Sequence, residues 1–353
     1  MADKILMKGN EALAEAAIMA GCRHYFGYPI TPQTEVAAYM AKRMPKVGGV
    51  FLQAESEIAA INMVIGAAAA GKRAMTSSSS PGISLKSEGI SYMAGCDLPA
   101  LIVNVQRGGP GLGGIQPSQS DYFQATCGGG HGDFHLLVLA PSSVQEMADL
   151  VAKGFDLAEK YRMPCMLLAD GTMGQMMEPV SLEEAKVEAH DKSWALTGTK
   201  GERKPNIINS LALQPNELEQ WNEERFKRYE IVKENEQMAE SYLMDDAEYC
   251  VVAFGIAARV SQNAVDAARA KGIKVGMIRP ITLWPFPEKV LKAAAEKCKA
   301  FLSVELNMGQ MIKDVKLAIE CKKPVDLCYR AGGMIPSPEE VLNAIEKMQK
   351  EGK

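Results

Sequence analysis

At 353 residues the chain is long enough for two domains with substantial cores, and 47% hydrophobic with 23% charged residues is the balance of an ordinary globular protein. A formal net charge of −4 gives no pull towards nucleic acid or an anionic membrane surface. No apolar run approaches the roughly 20 residues that span a bilayer, and MADKILMKGNEA lacks the apolar core of a signal peptide, so a cytoplasmic location is expected.

The first 180 residues alternate helical and strand patterns as a parallel α/β sheet does. Residues 9–22 read as a helix and 24–29 as a strand. Thr31-Pro32 then opens a second helix in this reading, with a hydroxyl at the N-cap and proline in the first helical position. A strand at 50–53 precedes a very apolar helix at 58–70. Further strands are expected at 73–77, 100–106, 136–140 and 164–169, with helices at 84–95 and 144–161 between them. From 181 to 248 the chain turns polar and reads as a connector, with Trp194 and Trp221 embedded and a charged, solvent-facing helix at 217–240. A second α/β pattern occupies 249–353: strand CVVAFG, helix 257–270, strand KVGMIRP, helix 288–297, strand AFLSVEL, and a last helix opened by the capping box Ser337-Pro338-Glu339-Glu340. The expected division is therefore 1–180, 181–248 and 249–353.

Four segments can carry chemistry. In Gln53-Ala54-Glu55-Ser56-Glu57 an apolar strand ends and a nearly uncharged helix begins. Glu55 thus falls at the carboxyl end of a strand, where open α/β sheets bind ligands. A carboxylate in apolar surroundings suits proton exchange with a ligand nitrogen. The competing reading is a plain charge at a helix N-terminus. In Gly27-Tyr28-Pro29-Ile30-Thr31-Pro32, two prolines bracket hydroxyl-bearing Thr31, which either receives a carboxylate or carbonyl oxygen or merely caps a helix. Thr76-Ser77-Ser78-Ser79-Ser80-Pro81-Gly82 is a dense set of donors and acceptors, fit for a turn or for the lining of a polar cofactor pocket. Arg107 stands where an apolar strand ends, able to grip a carboxylate bidentately or to make a structural ion pair.

Gly109, Gly111 and Gly114 formally satisfy a dinucleotide fingerprint, but Pro110 interrupts it and loop follows it, which argues against a nicotinamide dehydrogenase. The eight cysteines have no C-x-x-C spacing and read as buried reduced thiols. The four histidines show no metal-ligand spacing, so no metal site is expected here, and His131 and His135 read as structural.

Taken together, YPITP, QAESE, the hydroxyl-rich loop before Pro81-Gly82 and the strand ending in Gln106-Arg107 resemble the α-type subunit of 2-oxoacid:ferredoxin oxidoreductases. VVAFGIAARV and IRPITLWPFP resemble the transketolase C-terminal-like domain that follows in that family. SSSSPGISL, RGGPGLGGIQPSQSDYFQAT and GQMMEPV are most similar to the branched-chain, 2-oxoisovalerate-specific version. The pattern of the 2-oxoglutarate enzymes (E-D-E after the strand, a TSGPG loop, an RSGPSTG loop) differs at all three places.

The resemblance implies a thiamine-diphosphate pyrimidine-binding domain with Glu55 hydrogen-bonded to N1′ of the aminopyrimidine. It implies Thr31 and Arg107 at the substrate's carboxylate end, and Tyr28, Pro29, Ser78 and Ser79 lining the cofactor cavity. The diphosphate motif of such enzymes is missing: Ala169 precedes Asp170-Gly171, and no asparagine occurs until Asn206. A β subunit is therefore expected to bind diphosphate and Mg²⁺, and γ or δ ferredoxin-like subunits to carry the iron–sulfur clusters. The implied reaction is oxidative decarboxylation of a 2-oxoacid, with coenzyme A taking the acyl group and ferredoxin the electrons. The same chemistry on 2-oxoglutarate or another 2-oxoacid, and a non-catalytic assembly role, are the rival readings.

Overall fold

The computed structural model of the chain describes residues 4–182 and 188–351; the first residues of the expected connector, 183–187, lie outside the described residues. In chain order the first half runs β1 (Ile5–Lys8), α1 (Gly9–Met19), β2 (His24–Gly27), α2 (Thr34–Arg43), β3 (Val50–Gln53), α3 (Glu57–Ala69), β4 (Ala74–Ser78), α4 (Ser80–Gly95), β5 (Leu101–Gln106) and α5 (Tyr122–Thr126). It continues with β6 (Leu137–Leu139), α6 (Val144–Tyr161), β7 (Cys165–Asp170), α7 (Gly171–Gln175) and β8 (Met177–Val180). After these come α8 (Pro215–Asn235), β9 (Ala239–Tyr242), β10 (Tyr249–Val252), α9 (Gly255–Ala270), β11 (Val275–Pro280) and β12 (Thr282–Trp284). The chain closes with α10 (Glu288–Lys297), β13 (Ala300–Glu305), α11 (Met311–Ala318), β14 (Val325–Tyr329) and α12 (Pro338–Lys350).

Seven strands form one sheet in the order β12-β6-β7-β5-β4-β2-β3. All neighbours are parallel except β12, which runs antiparallel to β6. β4, β5 and β7 are buried at every position, as parallel strands covered on both faces must be. A second sheet, β14-β13-β10-β11-β9, is parallel apart from the edge strand β9. This is the doubly wound α/β architecture expected from the alternating pattern.

The two sheets share chain. β12 comes from the C-terminal half yet extends the first sheet, with Thr282 opposite Leu139 and Trp284 opposite Val138. Gln119, fully buried, ties the halves together: its Nε2 donates to Phe254 O at 2.8 Å, and its backbone N–H donates to Leu306 O at 3.1 Å. Its own carbonyl and Oε1 accept from Asn307 Nδ2 and Leu306 N–H at 2.9 and 3.2 Å. Arg279 adds a bidentate grip on Glu146 at 2.6 and 3.0 Å. The capping box at α12 forms as expected, with Ser337 accepting from the Glu340 N–H.

Several expectations need correction. α2 begins at Thr34 with Gln33 as its N-cap, not at Thr31-Pro32. The Thr31–Pro32 peptide is cis, and the Pro32 carbonyl is taken by Asn10 Nδ2 at 2.8 Å and Gln175 Nε2 at 3.1 Å, so this stretch is a pinned turn. β1 and β8 were invisible because each needs its antiparallel partner at the other end of the half. α4 starts at Ser80, four residues earlier than 84, so the serine run caps and enters the helix. Among the cysteines, Cys22, Cys165, Cys250 and Cys298 are buried, but Cys127 and Cys321 are exposed. His135 is structural as expected, stacked on Trp284 with ring centroids 4.5 Å apart.

Candidate functional site

β3 lies on one side of β2 and β4 on the other, so the chain changes direction between β2 and β4. Such a switch point opens a crevice at the carboxyl ends of the strands, where ligands settle in open α/β sheets. Every site residue expected from the sequence sits along that edge. Glu55 follows β3, Tyr28, Pro29 and Thr31 follow β2, Ser78 and Ser79 end β4, and Arg107 follows β5.

The structure brings Arg107 and Thr31 into direct contact. Arg107 Nη1 donates to Thr31 O at 2.9 Å and Nη2 to Leu112 O at 3.2 Å. The guanidinium is buried, its Nε has no partner, and no carboxylate lies in ion-pair range among the described residues. A buried charge left so is costly, and an anionic ligand offsets that cost. The Thr31 side of the pair borders a cavity of about 520 Å³ walled by Pro32, Ile115, Gln116 and Gly171.

Ser80 anchors Arg107 from below. Its hydroxyl accepts from the Arg107 N–H at 3.0 Å and donates to Asp121 at 2.6 Å, and Asn104 Nδ2 donates to the same carboxylate oxygen at 2.9 Å. Burial holds the Asp121 carboxyl above the usual carboxylate range, against the pull of those two donors. A second chain of bonds fixes the Tyr28–Pro29 loop. Tyr25 OH and Ser77 Oγ lie 2.7 Å apart, Ser77 Oγ donates to Gln33 Oε1 at 2.5 Å, and Gln33 Nε2 donates to Tyr28 O at 3.3 Å.

Ser78 and Ser79 are fully buried, and neither hydroxyl has a hydrogen-bond partner. Two buried hydroxyls without a hydrogen bond among the described residues are uncommon in a folded chain. Behind them lies Lys86, also fully buried, whose Nζ donates to Thr76 Oγ1 at 2.9 Å and Ser77 O at 3.1 Å. Burial pushes its ammonium down to about 7. Glu57 is buried beside Gly82, where an added methyl would stand 2.7 Å from its Oε1 and 2.1 Å from Ser78 Oγ.

Glu55 follows β3, which neighbours the β2 that leads to Thr31 and lies three strands from the β5 that leads to Arg107. The Ala54 N–H extends the β2–β3 ladder to Gly27 O at 2.9 Å, which sets Glu55 beside the Tyr28 loop. Glu55 is exposed, which corrects the expectation of apolar surroundings: the first turn of α3 beside it leaves Ile58 in solvent as well. Its apolar neighbours in the chain, Leu52 and Ile58, are themselves exposed, as is Val50 at the far end of β3.

Asp170, the nearest approach to a diphosphate motif, is engaged in the fold. Its Oδ1 caps α7 through the N–H groups of Thr172 and Met173 at 2.9 and 3.0 Å, and burial pushes its carboxyl up to about 6. Sequence reasoning missed Ser80, Asn104, Asp121, Gln33 and Lys86. Only the serine run hinted at any of them, because their partners lie far along the chain.

Residues 15–241 match the pyruvate flavodoxin/ferredoxin oxidoreductase thiamine-diphosphate-binding family, and residues 247–341 match pyruvate:ferredoxin oxidoreductase core domain II. The ketoisovalerate oxidoreductase subunit VorB of Methanothermobacter marburgensis is 51% identical over 97% of both chains. The chain belongs to the 2-oxoacid:ferredoxin oxidoreductase family. Within that family, the 2-oxoglutarate synthase subunit KorA of Methanothermobacter thermautotrophicus is 37% identical over 99% of this chain and 100% of its own. Among solved structures, the 2-oxoglutarate:ferredoxin oxidoreductase of Magnetococcus marinus, determined with 2-oxoglutarate, coenzyme A and succinyl-CoA bound, superposes with a TM-score of 0.87 at 30% identity. That match covers 98% of this chain and 65% of the oxidoreductase chain, so the latter carries substantial further sequence. A split-gene transketolase aligns with a TM-score of 0.61 at 14% identity and shares the fold. Among the described residues no helix is long and apolar enough to cross a membrane.

Proposed function

We propose that this chain supplies the half-site that holds and activates the aminopyrimidine of thiamine diphosphate in a 2-oxoisovalerate oxidoreductase. The enzyme converts the branched-chain 2-oxoacid and coenzyme A to acyl-CoA and CO₂, passing two electrons to ferredoxin. The observation that carries the reading is the buried Arg107 guanidinium with no carboxylate partner among the described residues, at the switch-point edge of the sheet. Two of its five N–H groups hold Thr31 O and Leu112 O, which leaves donors for the carboxylate of a 2-oxoacid. The greater identity to the ketoisovalerate subunits than to the 2-oxoglutarate ones supports the branched-chain substrate.

The residues present fit the cofactor: two buried hydroxyls without a hydrogen bond at the end of β4, and an exposed carboxylate with no hydrogen bond or ion pair among the described residues after β3. When bound, thiamine diphosphate supplies the electron sink that takes up the bonding pair as CO₂ leaves. With the cofactor bound, Glu55 would share a proton with a ring nitrogen and so control the ring's protonation. Ser78 and Ser79 hydrogen-bond polar edges of the ligand, and the Tyr28–Pro29 loop walls it in. Glu55 needs cover to work in a dry site. The exposed Leu52 and Ile58, which flank it in the chain, offer an apolar contact to a partner chain. That partner is a β subunit holding diphosphate and Mg²⁺, with iron–sulfur clusters on γ or δ ferredoxin-like subunits. Burial holds the thiols of Cys22 and Cys298 up at about 12 and about 11, which suits unreactive cysteines in the reducing cytoplasm.

The test is turnover of the complex co-purified with this chain, wild type against Glu55→Gln, with thiamine diphosphate, Mg²⁺, coenzyme A and a viologen acceptor. The expected result is fastest oxidation of 2-oxoisovalerate over 2-oxoglutarate and pyruvate, and loss of about 100-fold or more of kcat in an assembled variant. Near-normal turnover in the variant would remove Glu55 from its role. Preference for 2-oxoglutarate, the substrate of the second group of relatives, would keep the family and overturn the substrate.

A further inference from the structure

A second arginine cluster lies at the opposite end of α4 from the serine loop. The helix has 16 residues, so the two sites are separated by roughly 24 Å of helix. There the C-terminus of α4, the C-cap of α6 and the solvent-facing helix α8 enclose a cavity of about 350 Å³. Arg162, Arg225 and Arg228 all line it, and Trp194 and Trp221 form its apolar walls.

Asp97 is the one carboxylate in ion-pair range of the cluster among the described residues, and the exposed Asp191 adds a longer-range pull on Arg162. Asp97 pairs with Arg225 Nε at 3.4 Å and directly with Arg228 Nη2. Arg162 has no ion pair among the described residues; its Nε donates to Asp97 O at 3.3 Å, and its guanidinium stacks 4.4 Å from the Trp194 ring centroid. Arg228 Nε is buried with no partner. Arg225 is buried and largely satisfied, donating to Asn222 Oδ1 at 2.8 Å and to Gly95 O at 3.1 Å at the C-terminal end of α4. The other carboxylate on the lining, Glu224, is exposed and accepts from Gln220 at 3.0 Å. The helix-end carbonyl takes up part of the positive charge. What remains is three guanidiniums crowded on one cavity around one inner carboxylate. Burial, and to a lesser degree the Arg228 charge, work against the Arg162 cation, while Asp97 and Asp191 favour it; the net direction is downward.

We infer that this cavity is a binding site for a phosphate-bearing anion, either inorganic phosphate or the phosphate of a nucleotide-type ligand. Guanidiniums match the geometry of tetrahedral oxyanions through paired N–H groups, and a doubly charged anion offsets the surplus cation charge where a neutral ligand does not. Among ligand pockets the volume is at the small end, sufficient for a phosphate and a compact appendage. The site shares no residue with the crevice that holds Glu55 and Arg107, so it stands or falls independently of the proposed reaction.

Two of the chain's three tryptophans line the cavity, while Trp284 is stacked on His135 elsewhere, so indole fluorescence reports binding directly. The full chain and the co-purified complex are titrated at low salt with inorganic phosphate, AMP and coenzyme A in turn. A saturable change is expected, weakened about tenfold or more in Arg228→Gln, with Arg162→Gln as a second variant should the first fail to fold. Equal affinity for all three compounds would identify the phosphate group alone as the ligand; tighter AMP or coenzyme A would identify a nucleotide-type source. No saturable change up to millimolar concentrations, or unaltered affinity in both folded variants, would overturn the inference. Binding by the chain that vanishes in the complex would also overturn it, and would assign the cluster to an acidic partner surface.

Discussion

Arg107 Nη1 donates to the carbonyl oxygen of Thr31 at 2.9 Å, joining the loop after β5 to the loop after β2 across the switch point of the sheet. The guanidinium thus ties two loops together, and the proposed function asks it to hold a carboxylate as well. Two donors fix the backbone of the neighbouring loops, Nε is buried without a partner, and no carboxylate lies in ion-pair range among the described residues.

Lysine at this position keeps the charge but lacks the planar fork, so it cannot hold Thr31 O, Leu112 O and a carboxylate together. Arg107→Lys in the assembled enzyme should therefore raise KM for the 2-oxoacid and cut kcat/KM by roughly 10–100-fold, the scale of a lost charge-assisted hydrogen bond. Steady-state kinetics decide the matter, and an unchanged KM would show that Arg107 has only its loop-fixing role.

Gly82 should not tolerate a methyl group although it sits in the first turn of α4. Alanine ordinarily favours a helix by up to about 1 kcal/mol over glycine. Here the new Cβ would stand 2.1 Å from Ser78 Oγ and 2.7 Å from Glu57 Oε1. Gly82→Ala should lose about 1–3 kcal/mol by chemical denaturation and weaken thiamine diphosphate binding in the complex. Gly66→Ala is the control: nothing lies within 4 Å of its added Cβ, and α3 should gain stability.

Lys86 should make stability depend on alkaline pH. Its ammonium is depressed to about 7 by burial, whereas in the unfolded chain it titrates at its ordinary value near 10.5. Between those values the unfolded state binds the extra proton, so this group's contribution makes the fold more stable as pH rises, by at most about 1.4 kcal/mol per pH unit. Below about 7 both states are charged and its full penalty applies. Denaturation across this window, wild type against Lys86→Met, should show a positive slope that the variant lacks; parallel curves would mean that Lys86 is not depressed.

Gln119 should be worth several ordinary side chains. Replacing it with leucine removes the side-chain bonds to Phe254 O and Leu306 N–H inside a buried seam; Phe254 O keeps the Ala258 N–H at 3.3 Å, whereas the Leu306 N–H loses its partner. A loss of roughly 2–5 kcal/mol is expected. Calorimetry should also show the single transition broadening or splitting, since this residue joins the two sheets; an unchanged profile would assign the coupling to β12 and to Arg279 with Glu146.

The sequence by itself determined the α/β class, the parallel order of strand and helix, and the positions of Glu55, Thr31 and Arg107 at strand ends. Those properties are local: hydrophobic period, turn residues and caps are written in neighbouring residues. Only the tertiary structure decided what those ends meet. The turn at Thr31-Pro32 looked like a helix start until the partners of the Pro32 carbonyl, Asn10 and Gln175, came into view from distant elements. β1 and β12 likewise exist through pairing with strands more than a hundred residues away, which no local pattern signals. The buried charge at Arg107, the orphaned hydroxyls of Ser78 and Ser79 and the crowded guanidiniums around Asp97 are all matters of which groups lack a partner. Whether a polar group is satisfied depends on every element packed around it, and so it is settled only when the chain has folded.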